Sequence, residues 1–173
     1  MEFECTKCGK CCRNPDLEIQ VSKSDIDRWI ENDLLIILAQ LRLATFKDGT
    51  RSWIIQKCRD FAEVSKKLEA LGLPEFQNLD LSTFEDSPAC FFLTDENLCA
   101  IQMTKPRACR TFPFCRPDYP CPGIRTKSPD DDKTCQKIIE ENTNDINQGV
   151  IFYSPKKLEL ILDNISKRRI SKT

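Results

Sequence analysis

The segment "ECTKCGKCC", residues 4–12, places Cys5, Cys8, Cys11 and Cys12 within eight positions. Thiols at that density point to a disulfide framework, a zinc knuckle or an iron–sulfur cluster. Five more follow downstream, at Cys90, Cys99, Cys109, Cys115 and Cys121. The chain holds eleven cysteines and no histidine. Without imidazole there is no Ser-His or Cys-His catalytic pair and no imidazole-bound zinc hydrolase. A metal here would be held by thiolates, helped at most by carboxylates, and no catalytic residue is assigned.

Three observations argue against disulfides. Eleven is odd, the adjacent pair Cys11-Cys12 cannot bridge without strain, and the opening Met-Glu-Phe-Glu has neither the basic nor the apolar region of a secretory signal. The expected compartment is therefore the cytoplasm, where thiols stay reduced and dense cysteines bind metal. Structural zinc prefers two separate C-x2-C knuckles, whereas "CTKC" and "CGKC" overlap at Cys8 and no second knuckle follows. C-x2-C-x2-C is how bacterial ferredoxin motifs open, with three thiolates on three corners of a cubane. Gly9 would let the backbone curl close to inorganic sulfur, and Lys7 and Lys10 would offset thiolate charge. The ferredoxin fourth cysteine is missing. Cys12 follows at once instead, its side chain expected to diverge from that of Cys11, as a ligand to a second metal or a core thiol.

The remaining ligands are expected from residues 90–121, so the predicted metal set is Cys5, Cys8, Cys11, Cys12, Cys90, Cys99, Cys109, Cys115 and Cys121. The favoured reading is a [4Fe–4S]-type iron–sulfur protein with one or two clusters and a redox, cluster-delivery or maturation role. The alternative is a structural zinc module that presents a helical surface to a protein partner. Cys58 reads as a small buried hydrophobe, and Cys135 as readily a core residue as a ligand. Arg107, Arg110 and Arg116 are expected to neutralise thiolate charge and bond carboxylates.

The elements that must position these thiols are mostly helical. Ser22 or Ser24 can cap a helix starting near Asp25, with Asp25 and Asp27 at its positive end. Ile26, Trp29, Ile30 and Leu34 form its apolar stripe. That helix either breaks near Asn32–Asp33 or runs on into "LLIILAQLRLA", Leu34–Ala44, which is too short to cross a bilayer needing roughly 20 apolar residues. "FKDGTRSWII" reads as a hairpin turning at Asp48-Gly49. A helix is expected over residues 60–71, stopped by Gly72 and Pro74. Residues 73–89 read as loop, 90–121 as irregular, and Asp130–Asp132 as a solvated helix start. Helices follow over about 131–146 and from Ser154, with Pro155 in its first turn and Leu158, Ile161, Leu162 and Ile165 on one face. Their basic end, "KRRISKT", suits a helix C-terminus.

These elements predict an α+β, mainly helical fold. It is a small single domain, 1–173, with an irregular, cysteine-rich, metal-stapled core. The thiol clusters 5–12 and 90–121 meet in space, flanked by a helical segment, 22–75, and C-terminal helices, 131–170. Metal removal is expected to cost much of the fold. With 26 basic residues against 27 acidic, neither nucleic acid nor a membrane is expected, and a protein partner is.

"CTKCGKCC", with "CFFLTDENLCAIQMTKPRACRTFPF" far downstream, resembles the cysteine-cluster family named for its CxxCxxCC signature, the YkgJ type. Its downstream pattern, C-x-F-L, a turn, C-x-I-Y, then R-P-x-x-C-R-x-F-P, is matched by Cys90, Phe92, Leu93, Cys99, Ile101, Pro106, Cys109, Arg110, Phe112 and Pro113. Gln102 stands in place of the tyrosine and Lys105 in place of the arginine. The resemblance implies zinc or iron chelation. Flagellin lysine N-methylases carry a related cluster, so it also implies, by analogy, a cluster-dependent protein methylase as a third reading. Against that, the chain has no C-x3-C-x2-C radical motif and no glycine-rich nucleotide loop.

Overall fold

The run Leu34–Ala44, the most apolar in the chain, does not form one element. In the computed structural model it splits into a short helix and the first strand of a hairpin. The structure describes residues 2–3, 6, 8–14, 18–55, 66, 69–71, 89–94, 96–112, 124–126 and 129–171.

In chain order the described elements are β1 (Glu2–Phe3), α1 (Lys10–Arg13), β2 (Ile19–Val21), α2 (Lys23–Glu31), α3 (Leu35–Ala39), β3 (Leu41–Thr45) and β4 (Arg51–Ile55), then α4 (Arg107–Thr111), β5 (Ile124–Thr126), α5 (Pro129–Phe152) and α6 (Pro155–Ile170). The fold is thus mixed, with more helix than sheet.

Helix α2 begins where its sequence directs. The Ser22 hydroxyl accepts from the Asp25 N–H at 3.3 Å, and Asp25 reaches back to the Ser22 N–H at 3.4 Å, a reciprocal capping box. It ends at Asn32–Asp33, the first of the two expected outcomes. Asp33 turns left-handed there (φ 50°), a conformation that acidic and amide side chains tolerate better than most.

Strands β2, β4 and β3 form an antiparallel sheet in that order. Val21 and Leu43 both sit opposite Trp53, and Ile19 and Leu41 opposite Ile55. The turn at Asp48-Gly49 is as expected: Gly49 is left-handed (φ 83°), and Asp48 accepts from the Thr50 N–H at 2.9 Å. Its first strand, however, lies upstream of "FK", in Leu41–Thr45, and strand β2 carried no sequence signal. A second, two-stranded ribbon joins β1 to β5, with Phe3 opposite Ile124.

The core lies between this sheet, α2 and α3, and the two C-terminal helices. Trp29 and Ile26 of α2 are fully buried there, with Leu35, Ile37 and Leu38 of α3 and Leu158 and Ile165 of α6. Helix α5 crosses the start of α2 closely, since a Cβ on Gly149 would lie 3.1 Å from the Lys23 backbone nitrogen. Helix α5 is longer than expected, and α6 begins at Pro155, with the Ser154 hydroxyl accepting from the Lys157 N–H at 3.3 Å. Of the helix expected over 60–71, residues 66, 69 and 70 are helical and the others, apart from Leu71, lie outside the described residues, as does all of the loop expected over 73–89 except Ala89. Among the described residues no helix is long and apolar enough to cross a membrane.

Candidate metal centre

The knuckle turns on Gly9. Its backbone is left-handed (φ 67°), and its carbonyl accepts from the Cys12 and Arg13 N–H groups at 3.0 Å, which starts α1. A Cβ there would collide with the Arg13 guanidinium and lie 3.0 Å from the Asn97 side-chain oxygen. The left-handed backbone is what calls for glycine here, since the Arg13 guanidinium is the end of a flexible side chain and can move aside.

Helix α1 carries Cys11 and Cys12, both half-buried, and their sulfurs are 3.8 Å apart. That contact means the expected divergence does not occur, and the pair is coupled electrostatically to the downstream segment, Cys12 to Cys90 and Cys109, and Cys11 to Cys99 and Cys109. That segment is tied to the knuckle directly, because the Cys90 N–H donates to the Cys12 carbonyl at 2.7 Å.

The downstream segment is less irregular than its sequence suggests. Leu93 pairs with Cys99 in an antiparallel bridge, and the Ala100 N–H donates to the Phe92 carbonyl at 2.8 Å. The connecting turn closes through the Thr94 N–H and Leu98 carbonyl at 2.8 Å, with Asn97 left-handed (φ 60°). Cys90 and Phe92 belong to the hydrophobic core, while Cys12, Cys99, Cys109 and Ile101 pack against it. Buried Pro106 then starts α4, its carbonyl accepting from the Cys109 N–H at 3.0 Å.

The electrostatics follow from crowding thiols beside an apolar core. The Cys12 thiol donates to Cys11, and backbone N–H groups assist, so Cys11 falls to about 6. Cys12 is correspondingly pushed well up, by that shared hydrogen bond, by burial and by the charges of Cys11, Cys90 and Cys109. The first proton of the pair is thus lost more readily, and the second less readily, than from a lone thiol. Burial, then the neighbouring Cys90, Cys99 and Cys11, drives Cys109 far up, and burial raises Cys99. Solvent-exposed Cys8 goes the other way, lowered first by the Lys10 N–H.

Among the described residues, Lys105 favours the thiolate form of Cys11, Cys99 and Cys109, and Lys10 does so for Cys8, as expected of that lysine. Arg107 and Arg110 pair with carboxylates, as expected of them. Arg107 pairs with Glu141 at 3.0 Å and Arg110 with Asp25 at 3.5 Å. Guanidiniums find planar carboxylates here, and the lysine, a compact charge, eases ionisation of the thiols. Arg116 lies outside the described residues.

Cys11, Cys12, Cys90, Cys99 and Cys109 are therefore brought into one electrostatic neighbourhood, with Cys8 at its exposed edge. Cys5, Cys58, Cys115 and Cys121 lie outside the described residues, and Cys135 sits on α5 with its side chain likewise outside. Among the described residues no three Cys, Asp or Glu side chains already stand as a cage for one ion. The donor chemistry nevertheless fits a thiophilic metal. The sulfurs oppose one another's ionisation on a buried surface, and a cation is what would relieve that.

Three further residues were not singled out for the site in the sequence. Asp25, Arg28 and Trp29, on α2, all bond the segment that carries Cys109. The capping box was the visible signal for Asp25, but its reach to another helix was not. For Lys105 the signal was a base flanked by cysteines.

A thiol cluster seated on the edge of a small mixed α/β core defines a cysteine-cluster metal-binding protein. Comparison with protein families agrees. Residues 4–145 match the CxxCxxCC family, described as "Putative zinc- or iron-chelating domain", and the chain belongs to that family. No curated protein and no solved structure gives a match.

Proposed function

We propose that this protein binds one or two iron–sulfur clusters of the [4Fe–4S] type, with four thiolates to each, drawn from the knuckle thiols Cys8, Cys11 and Cys12 together with Cys90, Cys99 and Cys109. Cys5, Cys115 and Cys121 would complete this site or a second one. The observation that carries the reading is the Cys90–Cys12 backbone bond of 2.7 Å, which joins two cysteine groups far apart in sequence. The β1–β5 ribbon supports it. Phe3 and Ile124 pair, so the chain entering the knuckle and the chain leaving the Cys115–Cys121 stretch depart from adjacent points.

When bound, such a cluster supplies one-electron chemistry, or is passed on to another protein. The chain's part is to hold thiolates in place, to balance their charge with Lys105, and to back them with an apolar core that limits water. The metal is then a staple between the knuckle and the 90–109 segment. A redox, delivery or maturation role in the cytoplasm, acting on a protein partner, is the corresponding biological reading.

Anaerobically prepared protein should be brown, contain iron with acid-labile sulfide, and give a cluster signal by EPR or Mössbauer spectroscopy. Colourless protein with stoichiometric zinc and no sulfide would replace this reading with the structural zinc module, which the family's description also supports. The methylase reading requires binding of S-adenosylmethionine by the loaded protein, measured by calorimetry.

A further inference from the structure

The side chain of Asp25 is completely buried, yet its carboxylate is surrounded by donors from two helices. On α2 it takes the Ser22 hydroxyl at 2.9 Å, the Ser22 N–H, and the Arg28 guanidinium at 3.0 Å. From α4 it takes the Arg107 N–H on both oxygens, at 3.1 and 3.0 Å, and the Arg110 guanidinium at 3.5 Å. The first N–H groups of any helix lack intrahelical partners. One carboxylate here caps its own helix and, across 82 residues of sequence, the helix that carries Cys109.

The two residues that close the grip follow on the same turn of α2 and the next. Arg28 donates to the Thr104 and Lys105 carbonyls at 3.2 and 3.1 Å. The Trp29 indole N–H donates to the Thr104 carbonyl at 2.8 Å. Together these contacts hold residues 104–107, between Cys99 and Cys109, including the backbone of Lys105.

We infer that Asp25, with Arg28 and Trp29, is a positioning latch that sets the separation of Cys99 and Cys109 from the knuckle and so the geometry of the metal centre. The inference rests on the metal-binding reading above. None of the three is a ligand. They act through the backbone of the ligand-bearing segment, as partners that orient ligands do in metal sites.

The test loads the full chain with Co(II) alone. It then reads the thiolate-to-cobalt charge-transfer and d–d bands and the rate at which a chelator removes the metal. Asp25→Asn, which loses one acceptor oxygen, and Arg28→Met, which keeps the stem and loses the donors, should both shift the d–d bands. Release should be faster, by roughly 10- to 100-fold if the effect matches other orienting partners. Tyr153→Phe is the control. It removes a different side-chain bond to α2, from Tyr153 to Asp27, and should leave spectrum and release unchanged.

Wild-type behaviour in both latch variants, or equally fast release in Tyr153→Phe, would overturn the latch. Should Asp25→Asn not fold, Arg28→Met decides. Should the unsubstituted chain give no thiolate-to-cobalt bands, cobalt does not occupy the site, and the metal reading is decided by the iron and sulfide analysis above. The latch is then judged by amide exchange at residues 107–111 of the metal-free chain, where unchanged protection in Arg28→Met overturns it and lost protection upholds it.

Discussion

Gly9 and Lys105 show how single side chains shape this site. Gly9 combines a left-handed backbone with contact against Arg13 and Asn97. Gly9→Ala should destabilise the chain by about 1–2 kcal/mol from the left-handed backbone alone, seen as a lower urea midpoint. Lys105 favours the thiolate form of Cys11, Cys99 and Cys109. Removing positive charge beside a thiolate-ligated cluster favours its oxidised, less negative state. Lys105→Met should therefore lower the midpoint potential in a redox titration, and Lys105→Arg should largely preserve it. The 3.8 Å contact between Cys11 and Cys12 makes these adjacent thiols one coupled unit rather than divergent neighbours.

Helix α2 does two jobs. Its inner face builds the core through Ile26 and Trp29, and its first turns grip the cysteine segment. The capping box serves both. Ser22→Ala should cost about 1 kcal/mol from the lost cap, measured by thermal unfolding, and should speed metal loss in the same direction as Asp25→Asn. The far side of α2 meets Tyr153, whose phenol donates to Asp27. Burial first, then that carboxylate, raises the Tyr153 pKa. An acid whose pKa is raised on folding keeps its proton more tightly in the native state. The stability it contributes is present below the ordinary phenol value of about 10 and is lost as pH rises past it. The fall in denaturation midpoint above that pH should be smaller in Tyr153→Phe.

Across the whole molecule the core and the thiol cluster are neighbours rather than the same thing. The described core is apolar and spans the three-stranded sheet, α2, α3, Tyr153 and α6, with Cys90 and Phe92 as its link to the site. The metal is therefore expected to staple the edge of the fold. Chelation should strip amide protection from residues 8–14 and 90–112 first, leaving the sheet and α2 protected in hydrogen exchange. Simultaneous loss throughout would show that the metal carries the core as well.

Much of this was legible in the chain. Four cysteines in eight positions with no histidine already point to a metal-chelating cysteine cluster, and residues 4–145 match such a family. Local periodicity and capping placed α2, the Asp48-Gly49 turn and α6, since those signals act within a few residues. What local signals could not carry is anything set by contacts distant in sequence. Strand β2 is three residues long and exists because β4 is there to pair with it. The run Leu34–Ala44 is apolar enough for a helix or a strand, and only packing against the sheet divides it at Gln40. Asp25 reads in sequence as an ordinary acid at a helix start. Folding alone, by bringing Arg107 and Arg110 to the same carboxylate, joins that cap to the cysteines.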